Sequence, residues 1–138
     1  MLSKKHWHNK TLDNKQGGIV LLDGKLYGYA PSQSRSGPWM CIDFKSGETI
    51  FQSAPLKSSF KYKNGCLTYG DGMFYLLSDD GNMCLVKPMD KGFDVTGRLK
   101  IKDPGTRPTW AHPVVCGGRL YIRYGDKLGV YNVAGEDR

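Results

Sequence analysis

Apolar and polar positions alternate in short runs along this chain, and the runs return in the same order three times. The segments are Ile19-Val-Leu-Leu-Asp-Gly-Lys-Leu-Tyr-Gly-Tyr29, Leu67-Thr-Tyr-Gly-Asp-Gly-Met-Phe-Tyr-Leu-Leu77 and Pro113-Val-Val-Cys-Gly-Gly-Arg-Leu-Tyr-Ile-Arg123. Each has an apolar run, a turn ending in Gly, one variable residue, a bulky apolar residue and a Tyr. A short alternating run broken by Asp-Gly or Gly-Gly reads as a β-hairpin. The turn glycines Gly24, Gly72 and Gly118 stand 48 and 46 residues apart. A period of that length marks stacked blades or solenoid units rather than one wound core.

The pattern predicts strands throughout. In the first unit, 19–22 and 25–30 flank Asp23-Gly24, a polar loop covers 31–38, and 39–44 and 48–53 flank Lys45-Ser46-Gly47. In the second, 66–69 and 73–78 flank Asp71-Gly72, 82–87 follows the Asp79-Asp80-Gly81 turn, and 93–100 is the fourth strand. In the third, 113–116 and 119–124 flank Gly117-Gly118 and 127–133 is the third strand, with no room for a fourth. Residues 6–12 alternate in a strand-compatible way and read as a spare outer strand of a preceding blade. The expected fold is all-β: three four-stranded antiparallel propeller blades, a partial β-propeller whose last blade is split between the termini. The units run about 18–58, 66–104 and 112–138 in a single domain, 1–138. Closed propellers have ~4–8 blades, so three leave open faces and an unpaired edge. Self-association by strand exchange or blade stacking is therefore expected, with a homodimer giving six blades.

Composition agrees with a folded β domain. The 138 residues are 39% apolar and 12% aromatic, which argues against disorder. No apolar run approaches the ~18 residues of a membrane span. The opening Met-Leu-Ser-Lys-Lys-His-Trp-His is not followed by the apolar stretch of an export signal. A net charge of +7 favours acidic partners, yet the lysines are scattered from Lys4 to Lys127. The densest strip, Lys57 to Lys63, interleaves Phe60 and Tyr62 with three lysines and reads as a solvated loop, so nucleic acid is not the expected partner. Cys41, Cys66, Cys84 and Cys116 form no CxxC pair and read as free buried thiols. Cys41 and Cys84 sit in matching phrases, Trp39-Met-Cys-Ile-Asp and Asn82-Met-Cys-Leu-Val, and are expected on the same side of their sheets.

Asp23-Gly-Lys-Leu-Tyr27 followed by Met40-Cys-Ile-Asp-Phe-Lys-Ser-Gly-Glu48 resembles the PQQ-like, or quinoprotein-like, β-propeller repeat. That repeat carries a D-G-x-L-Y phrase, then A-L-D-x-x-T-G-E, then a Trp. Asp43, Gly47 and Glu48 match the second phrase, and Gly118-Arg-Leu-Tyr121 matches the first again. Leu128-Gly-Val-Tyr-Asn-Val-Ala-Gly135 is a degenerate second phrase, and Trp110-Ala-His-Pro-Val-Val115 is similar to the last blades of bacterial PQQ-like repeat proteins. Phe51 stands where the Trp is expected, and Met89-Asp-Lys-Gly92 replaces the Gly-Glu turn. The resemblance implies a bacterial, periplasmic or secreted setting. It also implies quinone (PQQ) and calcium as the cofactors of the family's dehydrogenases, many of which seat the quinone on adjacent cysteines. This chain has no adjacent cysteines, and no cofactor is expected from its own residues.

In a propeller the first strand of each blade lines the central channel, and the residues before it sit at the channel mouth. Counting back from the turn glycines gives Gln16, Asn64 and Trp110, with Gly18, Cys66 and His112 two positions further on. Arg123, leaving the second strand of the third unit, reaches the rim. Gln16, Asn64, Trp110, His112 and Arg123 are thus the candidate ligand-binding residues; alternatively Trp110 and His112 pack between blades and bond backbone groups. His6 and His8 form His-x-His, too few nitrogens for a metal site without a third ligand. Asp79-Asp80-Gly81-Asn82 lacks the spaced ligands of a calcium loop and reads as a turn. No catalytic motif appears. The expected function is a non-catalytic propeller binding or assembly module, with a fragment of a quinoprotein oxidoreductase as the alternative.

Overall fold

The computed structural model describes residues 5–30, 38–56, 58, 64–105 and 107–135. Every regular element among them is a strand. The first sheet contains β1 (Ile19–Leu22), β2 (Lys25–Tyr29), β3 (Trp39–Asp43) and β4 (Thr49–Ser53). The second contains β5 (Gly65–Gly70), β6 (Met73–Ser78), β7 (Asn82–Met89) and β8 (Gly92–Lys100). The third contains β9 (Val114–Cys116), β10 (Arg119–Tyr124) and β11 (Lys127–Asn132). Each sheet is an antiparallel meander in sequence order, as the hydrophobic pattern predicts.

The three inner hairpins share one turn chemistry. Asp23 and Gly24 have φ of 49° and 71°, Asp71 and Gly72 of 51° and 76°, and Gly117 and Gly118 of 55° and 69°. Two consecutive positive φ values define the hairpin turn that matches strand twist, and Asp-Gly or Gly-Gly is what tolerates it. The turn fixes register, so the pairs Leu22 with Lys25, Gly70 with Met73 and Cys116 with Arg119 are equivalent. Register then fixes which residues face which neighbour. Tyr27, Tyr75 and Tyr121 occupy one equivalent position, and Leu26, Phe74 and Leu120 the other.

Packing follows that alternation. Tyr27, Tyr29, Trp39, Cys41 and Phe51 of the first sheet meet Leu67, Phe74, Leu76, Cys84 and Val86 of the second. Tyr27 and Phe74 approach to 4.6 Å between ring centres, and Phe51 meets Phe93 edge-on at 5.2 Å. The opposite face of the second sheet, with Cys66, Tyr75, Leu77 and Met83, packs on Leu120 and Ile122 of the third. The middle sheet is therefore covered on both faces. The outward faces of the outer sheets are not. Ile19, Leu21, Phe44 and Ile50 are exposed at one end, and Val114, Leu128 and Val130 at the other.

Residues 6–12 pair with no strand among the described residues. They cross the outward face of the first sheet, where Trp7 and Leu12 pack on Leu26, Ala30, Met40 and Ile42. The Trp7 indole Nε1 donates to the Phe44 carbonyl at 2.9 Å, and Asn9 Nδ2 donates to the Gly47 carbonyl at 2.9 Å. Gly47 lies under the indole: a Cβ there would stand 2.5 Å from two of its ring carbons. The β3–β4 turn that receives the indole is braced by Asp43, whose Oδ1 accepts the amides of Lys45 and Ser46 at 2.9 and 2.7 Å. These bonds hold the Asp43 carboxyl below the usual carboxylate range.

Two expectations about these elements are corrected: residues 6–12, expected as a spare outer strand, form no strand and lie across a sheet face instead, and Cys41 and Cys84 do not share a side. Cys41 and Cys84 lie on opposite sides of their own sheets and converge on the same interface between them. Tyr27 pairs with Cys41, whereas its equivalent Tyr75 pairs with Leu85. The outer hairpins are offset by one residue between the two units, and one residue reverses the face.

Candidate functional site

The inner strands β1, β5 and β9 run side by side, and the segments leading into them meet at one end of the molecule. Gly17 abuts the Gly65 carbonyl so closely that a Cβ there would fall 2.0 Å from it. Thr68 Oγ1 donates to the Pro113 carbonyl at 2.6 Å, and the Cys66 thiol lies 3.5 Å from the Ala111 carbonyl. These contacts tie the second unit to the first and to the third.

His112 bridges the mouth between the third unit and the first. Its Nε2 donates to the Gln16 carbonyl at 3.1 Å, joining the third unit to the first. Its ring covers Gly18, where a Cβ would stand 2.7 Å from Cε1. Beside this bridge lies a cleft of about 460 Å³ lined by Leu12, Asn14, Lys15, Gln16, Gly18, Ile19 and His112. Gln16 and His112 are thus brought together, the former through its backbone carbonyl. Asn64 is buried, at 3% exposure, just before β5. Its amide N–H donates to Asp79 Oδ2 at 3.0 Å, and its carbonyl accepts from the Asp79 amide at 3.1 Å. Its side-chain Oδ1 and Nδ2 have no partner among the described residues. Trp110 is 45% exposed and does not line the cleft.

Arg123 lies apart from the mouth. It lines a second cleft, of about 430 Å³, with Asp103, Pro104, Gly105, Arg107, Tyr124, Gly125, Asp126 and Lys127. The sequence reading missed Arg107, Asp103 and Lys127 as companions of Arg123. Their signal was the pair of turns Asp103-Pro-Gly105 and Gly125-Asp-Lys127, which become neighbours only once the third sheet packs on the second.

The other candidates have ordinary settings. His6 and His8 are exposed, and no three His, Cys, Asp or Glu side chains among the described residues group around a metal-sized space. Asp80 Oδ1 accepts from Asn82 Nδ2 at 2.9 Å within the β6–β7 turn. The Lys57 to Lys63 strip lies outside the described residues except for Ser58. All four cysteines are free, and Cys41, Cys66 and Cys84 are buried as expected; Cys116, expected buried, is exposed on the last residue of the short strand β9. Burial pushes the Cys66 thiol up to about 12, because the thiolate loses its hydration. No helix among the described residues is long and apolar enough to cross a membrane.

No family model and no curated protein matches this sequence. Among solved structures the chain is similar to a europium-containing methanol dehydrogenase, with a TM-score of 0.60 and 14% identity over 84% of this chain. It is also similar to BamB from Moraxella catarrhalis, with a TM-score of 0.47 and 15% identity over 83% of this chain. The likeness to the first of these supports the resemblance of the fold to a PQQ-like β-propeller. The chain spans 22% of the first protein's length and 41% of the second's.

Proposed function

We propose that this chain is a non-catalytic propeller module that works by assembly, and that its partner is a second copy of itself. The observation that carries the reading is the placing of exposed apolar side chains on the two end faces of the stack. Leu128 and Val130 are 65% and 52% exposed at one end, and Ile19 and Leu21 are 53% and 54% exposed at the other. Such faces are interaction surfaces or liabilities in a soluble protein. The third sheet has three strands, and the edge of β11 is open among the described residues. Residues 6–12 cross the first sheet's outward face, where a strand of a preceding blade would lie, with Trp7 and Asn9 anchored to the β3–β4 turn. If the third sheet of a second copy docks on the first sheet, its β11 edge comes alongside 6–12. Two such joints close a six-bladed ring, within the ~4–8 blades of known propellers.

Light scattering at micromolar concentration tests this. The expected mass is twice the 15.4 kDa of the chain. Replacing Leu128 and Val130 by Glu should leave a folded monomer, since both side chains are exposed within the chain. A monodisperse unaltered monomer, still folded after deletion of residues 1–12, would refute strand exchange.

A quinoprotein oxidoreductase fragment is the second reading, favoured by the fold likeness to the methanol dehydrogenase. Quinone and calcium together call for carboxylate and other oxygen donors. The mouth cleft is lined by one lysine, one imidazole already bonded to a backbone carbonyl and the amides of Asn14 and Gln16, with no carboxylate among its described residues to balance a divalent cation. This donor set does not fit the pair, and no redox step is assigned to the chain.

A further inference from the structure

The loop leading to β9 and the β10–β11 turn form the two walls of the 430 Å³ cleft. The walls are pinned together by Lys127, whose ammonium lies 2.8 Å from Asp103 Oδ2. The contact lowers the Asp103 carboxyl and raises the Lys127 ammonium relative to their ordinary values. That lysine and that carboxylate therefore satisfy each other. Gly125, at φ 58°, lets the chain turn within two residues, so Tyr124 and Lys127 remain paired directly below the cleft.

Two guanidinium groups and one carboxylate, that of Asp126, are left over. Arg107 comes from one wall and Arg123 from the other, both exposed, and neither has an ion pair among the described residues. The lining carries three cationic and two anionic side chains, an excess of one positive charge with the lysine already engaged. A guanidinium presents planar forks of N–H donors that match the oxygens of an oxyanion. The volume exceeds what a bare ion fills and suits a small organic ligand.

We propose that this cleft binds a small phosphate monoester, its phosphate held between Arg107 and Arg123 and its organic part lying against Tyr124 and Pro104. The site does not depend on the assembly described above. Recognition is by charge and by forked hydrogen bonds, so a dianionic tetrahedral head should bind better than a planar monoanionic carboxylate.

The test is titration of the full-length 15N-labelled protein with phenyl phosphate, inorganic phosphate and benzoate at low ionic strength, followed by amide shifts. Phenyl phosphate should saturate one site, with shifts centred on residues 103–105 and 123–127, and benzoate should bind at least about tenfold more weakly. Arg107→Gln and Arg123→Gln should each weaken phenyl phosphate by about tenfold or more, and Arg123→Lys should recover part of the loss. Arg119→Gln, at the far end of β10, should change nothing. Circular dichroism establishes that each variant is folded. Three results would overturn the proposal: no saturation by phenyl phosphate up to about 10 mM, equal weakening by Arg119→Gln and Arg123→Gln, or benzoate binding as tightly as phenyl phosphate.

Discussion

Replacing Gly47 by Ala separates backbone strain from side-chain docking. Gly47 has φ of 74° and lies beneath Trp7, whereas Gly24 has φ of 71° and nothing within 4 Å of a built Cβ. Gly24→Ala therefore reports strain alone, about 1 kcal/mol. Gly47→Ala adds a methyl 2.5 Å from Cδ2 and Cε3 of the indole, so the ring must move by roughly 1 Å or more to regain ordinary contact. The displaced indole loses its bond to the Phe44 carbonyl, about 1 kcal/mol, and part of its apolar burial, about 2 kcal/mol. The expected total is about 4 kcal/mol, of which about 3 should vanish when Trp7 is already Ala. Urea unfolding followed by circular dichroism, at one fixed protein concentration, gives the four corners of the cycle. Equal costs for Gly47→Ala and Gly24→Ala, or no coupling to Trp7, would refute the argument.

Leu120, 1% exposed between the second and third sheets, should cost about 2–4 kcal/mol when cut to Ala; a change below about half a kcal/mol would mean the repeat register is wrong. A thiol reagent at pH 8 should titrate Cys116 promptly in the native protein and all four cysteines only after unfolding; fast modification of Cys66 would contradict its burial. The Cys66 thiol is raised to about 12 in the fold, so its contribution to stability is complete below its unfolded value and is lost as pH climbs from about 9 toward 12; thermal melts should show stability falling across that interval, less so for Cys66→Ala. Adding quinone with calcium to the purified protein should produce no saturable absorbance change and no alcohol oxidation; stoichiometric uptake would restore the oxidoreductase reading.

The blades were legible because their inner hairpins are specified locally. Asp-Gly or Gly-Gly imposes the turn, the turn imposes register, and register assigns Tyr27, Tyr75 and Leu120 to faces without tertiary information. The outer hairpins were less legible, since the pairing of Tyr29 with Trp39 closes a nine-residue loop and that of Leu77 with Met83 a five-residue one. The sequence phrases around Cys41 and Cys84 match, but each phrase enters its strand at a different point: Cys41 stands opposite Tyr27, whereas Leu85, one residue past Cys84, stands opposite the equivalent Tyr75. At the mouth, counting back from the turns placed His112 and Gln16 together, because both stand next to strands that begin at the same level. Asn64 obeyed the same count yet is buried, since its neighbour Gly65 admits Tyr29 and Trp39 to within about 3 Å of where a Cβ would be. Arg123 was assigned to the rim but not to Arg107, because their proximity arises from packing between sheets and has no trace in local spacing.

The sandwiching of the second sheet between two half-covered ones makes the molecule's resistance to opening uneven from end to end. Apart from the His112–Gln16 bridge at the mouth, each sheet packs only on its immediate neighbours, so the free energy of the stack is close to a chain of nearest-neighbour terms. The middle sheet holds two such terms and each end sheet one. Local opening therefore starts at β1 or β11 and travels inward, and the amides of β6 and β7 are released only when the whole stack gives way. Protection from solvent hydrogen is stored in the centre, while the ends, which carry the apolar faces, remain the parts of the fold freest to rearrange.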